Sequence, residues 1–186
     1  LLLYGTIEEP GDVVVVVRGP ELAETVWKKS RFAGIWINQR AVEFGNVPGY
    51  YAVLTERRLD EVAPASLLAR LQIGPDNLRL SALSGENDLE VAGFQQAIVR
   101  ARIRQGLYRT DIGALAFQGR RLFRARVEFP SSVPVGTYRV EAYLIQNDRV
   151  IAAQAIPLFV DKQGVEQAVY DFAHEKPHLY GLFAVL

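Results

Sequence analysis

Runs of β-branched and aromatic residues occupy both ends of this chain, and a helical periodicity occupies its middle. Val13-Val14-Val15-Val16-Val17 is an unbroken β-branched run between Gly11-Asp12 and Gly19-Pro20, the pattern of a strand covered on both faces and central in its sheet. Leu1 to Ile7 predicts a strand before it. The turn-forming Glu8-Glu9-Pro10-Gly11 between the two predicts a hairpin. Three short β-rich runs follow, Gly34–Asn38, Ala41–Phe44 and Tyr50–Leu54, spaced as antiparallel strands.

The period then lengthens. Pro64 stands where a first helical residue would, and Leu67, Leu68 and Leu71 share one face before Gly74-Pro75 stops the run. From Asn87 to Gln105, Asp88 and Glu90 lead while Phe94, Ala97, Ile98 and Ala101 form a stripe. Arg100, Arg102 and Arg104 trail, which complements the helix dipole, and Gly106 is placed to cap. This predicts a surface helix with Phe94 and Ile98 facing in.

After Gly119 a period of two returns: Phe123, Ala125, Val127 and Phe129 alternate with Leu122, Arg124, Arg126 and Glu128. Thr137–Ile145 and Val150–Val160, joined at Gln146-Asn147-Asp148-Arg149, predict a second hairpin, with Pro157 placing the last strand at a sheet edge. The expected fold is mainly β: an antiparallel, immunoglobulin-like β-sandwich over residues 1–162 with a helical insertion at about 64–106. Residues 163–186 are expected to form a C-terminal helical segment whose uncharged run Leu179–Leu186, much shorter than the ~20 apolar residues a spanning helix needs, reads either as the last turns of a buried helix or as the start of a truncated membrane anchor.

Charge narrows the partners. Twenty-one basic residues balance twenty-one acidic ones, so no long-range field gathers nucleic acid. Without cysteine there is no disulfide or thiol chemistry. The chain starts at Leu1 and contains no methionine, so a fragment or processed product is expected.

Several segments resemble an alphaproteobacterial family described as putative transmembrane proteins: Gly11–Pro20, Lys28–Asn38, Val47–Val53, Gly106-Leu107-Tyr108, Leu122–Ala125, Val133–Tyr138 and Leu179–Val185. The resemblance spans nearly the whole chain. It implies a signal peptide, a periplasmic domain and a single C-terminal helix in the inner membrane beginning near Tyr180-Gly181-Leu182. It also implies an accessory role beside a transporter of the sulfite-exporter type, and it supplies no catalytic residue or cofactor.

The sharpest chemical motif is His174-Glu175-Lys176-Pro177-His178, which matches the H-E-x-x-H zinc pattern. That chemistry needs a continuous helix. Pro177 breaks one, and no third histidine exists. Neither a nucleophile elbow nor a phosphate-binding glycine loop is present. The expectation is therefore no enzyme, no metal and no cofactor, with a metal-dependent hydrolase using His174, Glu175 and His178 as one alternative. A small-ligand or carbohydrate-binding sandwich with a pocket around Tyr50, Tyr51 or Trp36 is the other.

The densest mixture of aromatic, basic and amide groups, including Trp27, Lys28, Lys29, Arg31, Trp36 and Asn38, has the composition of a protein-interface anchor. Arg18 is expected to join Lys29, Arg31, Trp36 and Asn38 across a hairpin. The same residues also read as a core tryptophan beside a charged, solvated strand edge. Gly34 is expected to permit a close backbone approach. The leading functional expectation is an extracytoplasmic accessory or protein-binding domain whose partner is another envelope protein.

Overall fold

The computed structural model describes residues 1–32, 34–83 and 88–161. The strands in chain order are β1 (Leu2–Thr6), β2 (Asp12–Arg18), β3 (Glu21–Phe32), β4 (Ile35–Pro48), β5 (Tyr51–Thr55), β6 (Tyr108–Ile112), β7 (Leu115–Gln118), β8 (Leu122–Arg126), β9 (Gly136–Gln146) and β10 (Arg149–Val160). Between β5 and β6 lie α1 (Leu59–Val62), α2 (Ala65–Leu71), a short 3-10 turn at Pro75–Asn77, and α3 (Asp88–Arg104).

The valine run sits where its composition requires. β2 is the middle strand of a sheet ordered β10-β9-β2-β5-β6, and all five valines are buried. A three-stranded sheet, β1-β8-β7, adds Phe123 and Ala125 to the same hydrophobic core as β2 and β5, so the two β regions share one interior. Tyr50, Phe129 and Tyr138 form an aromatic cluster within it, with ring centroids 5.0–6.0 Å apart. The Tyr138 hydroxyl donates back to the Pro134 carbonyl at 2.7 Å, fixing the entry to β9.

Four expectations change. First, β1 pairs with β8, from Leu2 opposite Arg126 to Thr6 opposite Leu122, and not with β2. Glu8-Glu9-Pro10-Gly11 is a corner between sheets, and Gly5 lies so close to the Phe123 ring that a Cβ there would stand 2.3 Å from it. Second, the pairing is not wholly antiparallel: β5 and β6 run parallel. A parallel pair needs a long crossover, and the helical segment is that crossover. Third, the runs predicted at 34–38 and 41–44 are one strand, β4, and its partner β3 was not expected as a strand at all. Fourth, β6 and β7, unpredicted, complete two sheet edges.

Other features match the reading. α3 buries Phe94 and Ile98 and leaves Arg100 and Arg104 exposed. The β9–β10 hairpin turns through Asn147 and Asp148, both at positive φ (49° and 61°), as a two-residue turn matched to strand twist requires. β10, with Pro157, is an edge strand. The expected C-terminal helix over 163–186 lies outside the described residues. No helix among the described residues is long and apolar enough to cross a membrane.

Candidate functional site

β3 and β4 form a long two-stranded arm. Such a ribbon is marginal alone, and its base is therefore tied down. Val42, Phe44 and Val47 enter the core. The Gly45 and Leu83 amides donate to the Ser81 and Glu43 carbonyls, adding a short third segment alongside β4. On the other strand Arg102 of α3 bonds Glu24 at 2.6 Å, with both side chains largely withdrawn from solvent. Gly19 and Gly49 close the base by amide bonds to the Tyr50 and Pro20 carbonyls, in space too tight for a Cβ.

Beyond Val42 the arm leaves the core. From Trp27 opposite Ala41 to Phe32 opposite Ile35 it continues for about 20 Å, taking ~3.4 Å per residue. Trp27 is 54% exposed and Ile35 67% exposed, and Arg31 is also exposed, its Nε donating to the Gly34 carbonyl at the turn. Gly34 has open space around it and φ of 85°, so the turn requires its backbone conformation and not the close approach expected from sequence.

Register sorts the arm's residues by face. Lys29 stands opposite Asn38 and Arg31 opposite Trp36, so four of the five candidate positions lie on one face of the ribbon. Ser30 opposite Ile37 and Phe32 opposite Ile35 lie on the other. The side chains of Lys29, Trp36 and Asn38 are outside the described ones. Between Val26 and Val42 the sequence holds Lys28, Lys29, Arg31 and Arg40 and no acidic residue, whereas the whole chain is neutral. The arm therefore concentrates positive charge next to aromatic and aliphatic residues.

Arg18 is elsewhere. Its Nε donates to Glu141 at 3.1 Å, its Nη2 donates to the Leu71 and Gln72 carbonyls, and its guanidinium lies 5.2 Å from the Tyr51 ring centre. These carbonyls end α2, where Gln72 takes the left-handed conformation. Arg18 caps that helix and fixes it to β9.

Tyr50 and Tyr51 are fully buried, and their hydroxyls donate to the Glu128 and Gln72 carbonyls. They are core residues. Burial raises the pKa of both well above the usual tyrosine value. An open groove of about 630 Å³ lies between β1 and β9–β10, with Ile7, Phe123, Leu144 and Ile151 among its walls. Its polar lining is Thr6, Glu8, Glu9, Tyr143 and Gln154. Among the described residues no group of three His, Cys, Asp or Glu is placed to hold a metal, and His174-Glu175-Lys176-Pro177-His178 lies outside them.

The described residues thus define a mainly β protein with a helical crossover and a projecting basic and aromatic arm. The chain belongs to the family described as putative transmembrane protein (Alph_Pro_TM), whose match covers residues 1–186. No curated protein and no solved structure matches it.

Proposed function

We propose that this chain is a non-enzymatic accessory domain of a membrane-anchored envelope protein, facing the periplasm from the inner membrane and binding another envelope protein through the β3–β4 arm. The observation that carries this reading is the arm: Lys29, Arg31, Trp36 and Asn38 share one face of a ribbon extending beyond the core. Basic and aromatic residues on a projecting element fit interface anchoring. Family membership supports membrane association. The immunoglobulin-like character of the sandwich is part of the proposal, supported by the two sheets on one core and the Tyr138 hydroxyl turning back to Pro134. A transporter of the sulfite-exporter type is the partner class we favour, on the family resemblance.

The test is crosslinking of the full-length protein in its native membrane followed by mass spectrometry, with wild type compared to Arg31→Glu. A specific membrane-protein partner lost from the variant supports the reading, provided the variant's melting temperature is unchanged. Equal capture by both removes the arm from it.

A further inference from the structure

The two edges of the five-stranded sheet are built differently. β6, at one edge, has five residues and carries Arg109 and Asp111. β10, at the other, has twelve residues with no charge from Val150 to Val160. Its apolar groups are open to solvent: Ile156 is 45% exposed and Phe159 68% exposed. Natural sheets blunt free edges with charges, prolines, bulges or short strands, because unpaired backbone groups recruit another strand. β10 retains two such devices, a bulge between Val150 and Ala152 and the imino residue Pro157. They bracket a clean stretch, Ala152–Ile156, whose outer side no strand among the described residues pairs with.

We infer that β10 is a self-association edge, where a second copy of this chain adds its own β10 antiparallel about a twofold axis at Ala155. The charge pattern selects this occupant and orientation. Arg149 opens the strand and Asp161 follows it, so antiparallel pairing about position 155 sets the Arg149 end of each copy opposite the Asp161 end of the other. Parallel pairing would oppose like ends. Asp161 keeps its interactions within its own chain, and no new bond to it is needed. The same register sets Ile151 against Phe159 and Ala152 against Leu158 of the second copy, large against large only where both are exposed. Pro157 falls opposite Ala153, with the loss of one hydrogen bond per copy. The join would be isologous, making one continuous ten-stranded sheet from the two five-stranded ones.

The chain has no cysteine, so a single introduced thiol reports the register. Ala155 is the one position that faces itself, at a cross-strand separation of about 4.5–5.5 Å that a disulfide spans. Full-length Ala155→Cys, oxidised in its native membrane, is expected to give a covalent dimer as the main species, and Ala92→Cys on the exposed side of α3 is not. Adding Ala153→Arg to Ala155→Cys should cut that dimer at least about tenfold, because the join would then hold an unpaired charge. If the Ala155→Cys thiol reacts with maleimide but does not crosslink, the inference is overturned, since the edge is then open and unoccupied. A thiol at that position neither reactive nor crosslinked overturns it too, and assigns the edge to residues 162–186 or to another protein's strand. Light scattering on the detergent-solubilised wild type, corrected for detergent, decides independently of the cysteine variant: two copies support the inference and one overturns it. Neither readout involves the arm, so loss of the partner reading leaves this one standing.

Discussion

Arg18 shows how a residue with the right chemistry for an interface is committed to structure. Its three hydrogen bonds and its place beside the Tyr51 ring join the end of α2 to β2 and β9. We predict that Arg18→Ala lowers stability by about 2–3 kcal/mol in chemical denaturation, since it takes the donor from the Leu71 carbonyl and the nearest cation from Glu141, while the Gln72 carbonyl keeps the Tyr51 hydroxyl and Glu141 keeps Arg139 at 3.8 Å. Arg18→Lys should recover less than half of that, because an ammonium lacks the planar fork that serves Glu141 and the carbonyls together. At Gly34 the constraint is conformational and not spatial. Gly34→Val, forced to positive φ, should therefore lower stability by about 1–2 kcal/mol, while Gly34→Asn, which tolerates that region, should cost well under half as much. Equal losses would return the explanation to crowding.

The hairpin arm depends on contacts made at its base. Its distal half has no buried neighbours among the described side chains, so its orientation rests on Val42, Phe44 and the Arg102–Glu24 bond. Glu24→Gln is expected to cost about 1–2 kcal/mol, less than the roughly 3–5 kcal/mol of a fully buried pair because Glu24 keeps some solvent contact. It should also speed amide exchange in β3 and β4 more than in β2. Uniform exchange would mean that the arm is held by its apolar base alone. The sequence hid this element for a physical reason. Glu21–Phe32 contains Glu21, Glu24, Lys28, Lys29 and Arg31, and a ribbon wet on much of its surface needs no clean alternation. α3 was legible because one face of a long surface helix must be apolar.

Across the whole molecule the buried tyrosines set the response to alkali. Burial raises the pKa of Tyr50, Tyr51, Tyr108 and Tyr138, in Tyr138 to about 12. A group held neutral in the fold and titrating near 10 when unfolded contributes stability that is complete below about pH 10 and falls as pH rises toward the folded value. The tyrosine contribution to stability should thus be level up to about pH 10 and fall as the pH rises above it. The share of tyrosinate absorbance that comes from these four should then rise together with the loss of circular dichroism. Ionisation of all eight tyrosines well before unfolding would contradict the packing described here. The proposed membrane topology has its own test at this scale. A reporter active only in the cytoplasm, fused after Asp161 of a protein retaining its native export signal, should be silent, and one fused after the completed C-terminal helix should be active.

The sequence by itself determined what local periodicity and composition can specify. Five consecutive valines require a strand covered on both faces, the Phe94–Ile98 stripe requires a helix against a core, and Pro157 requires an edge. It also collected Lys29, Arg31, Trp36 and Asn38 as one candidate group, because they are near one another along the chain. Tertiary structure alone decided which strands pair. β1 joins β8 across more than a hundred residues, β5 and β6 run parallel through the helical crossover, and Arg18 turns to α2 and Glu141 instead of the arm. Partner choice at such separations follows from which apolar faces and which buried donors must be satisfied at once, and that is a property of the assembled core, not of any one segment.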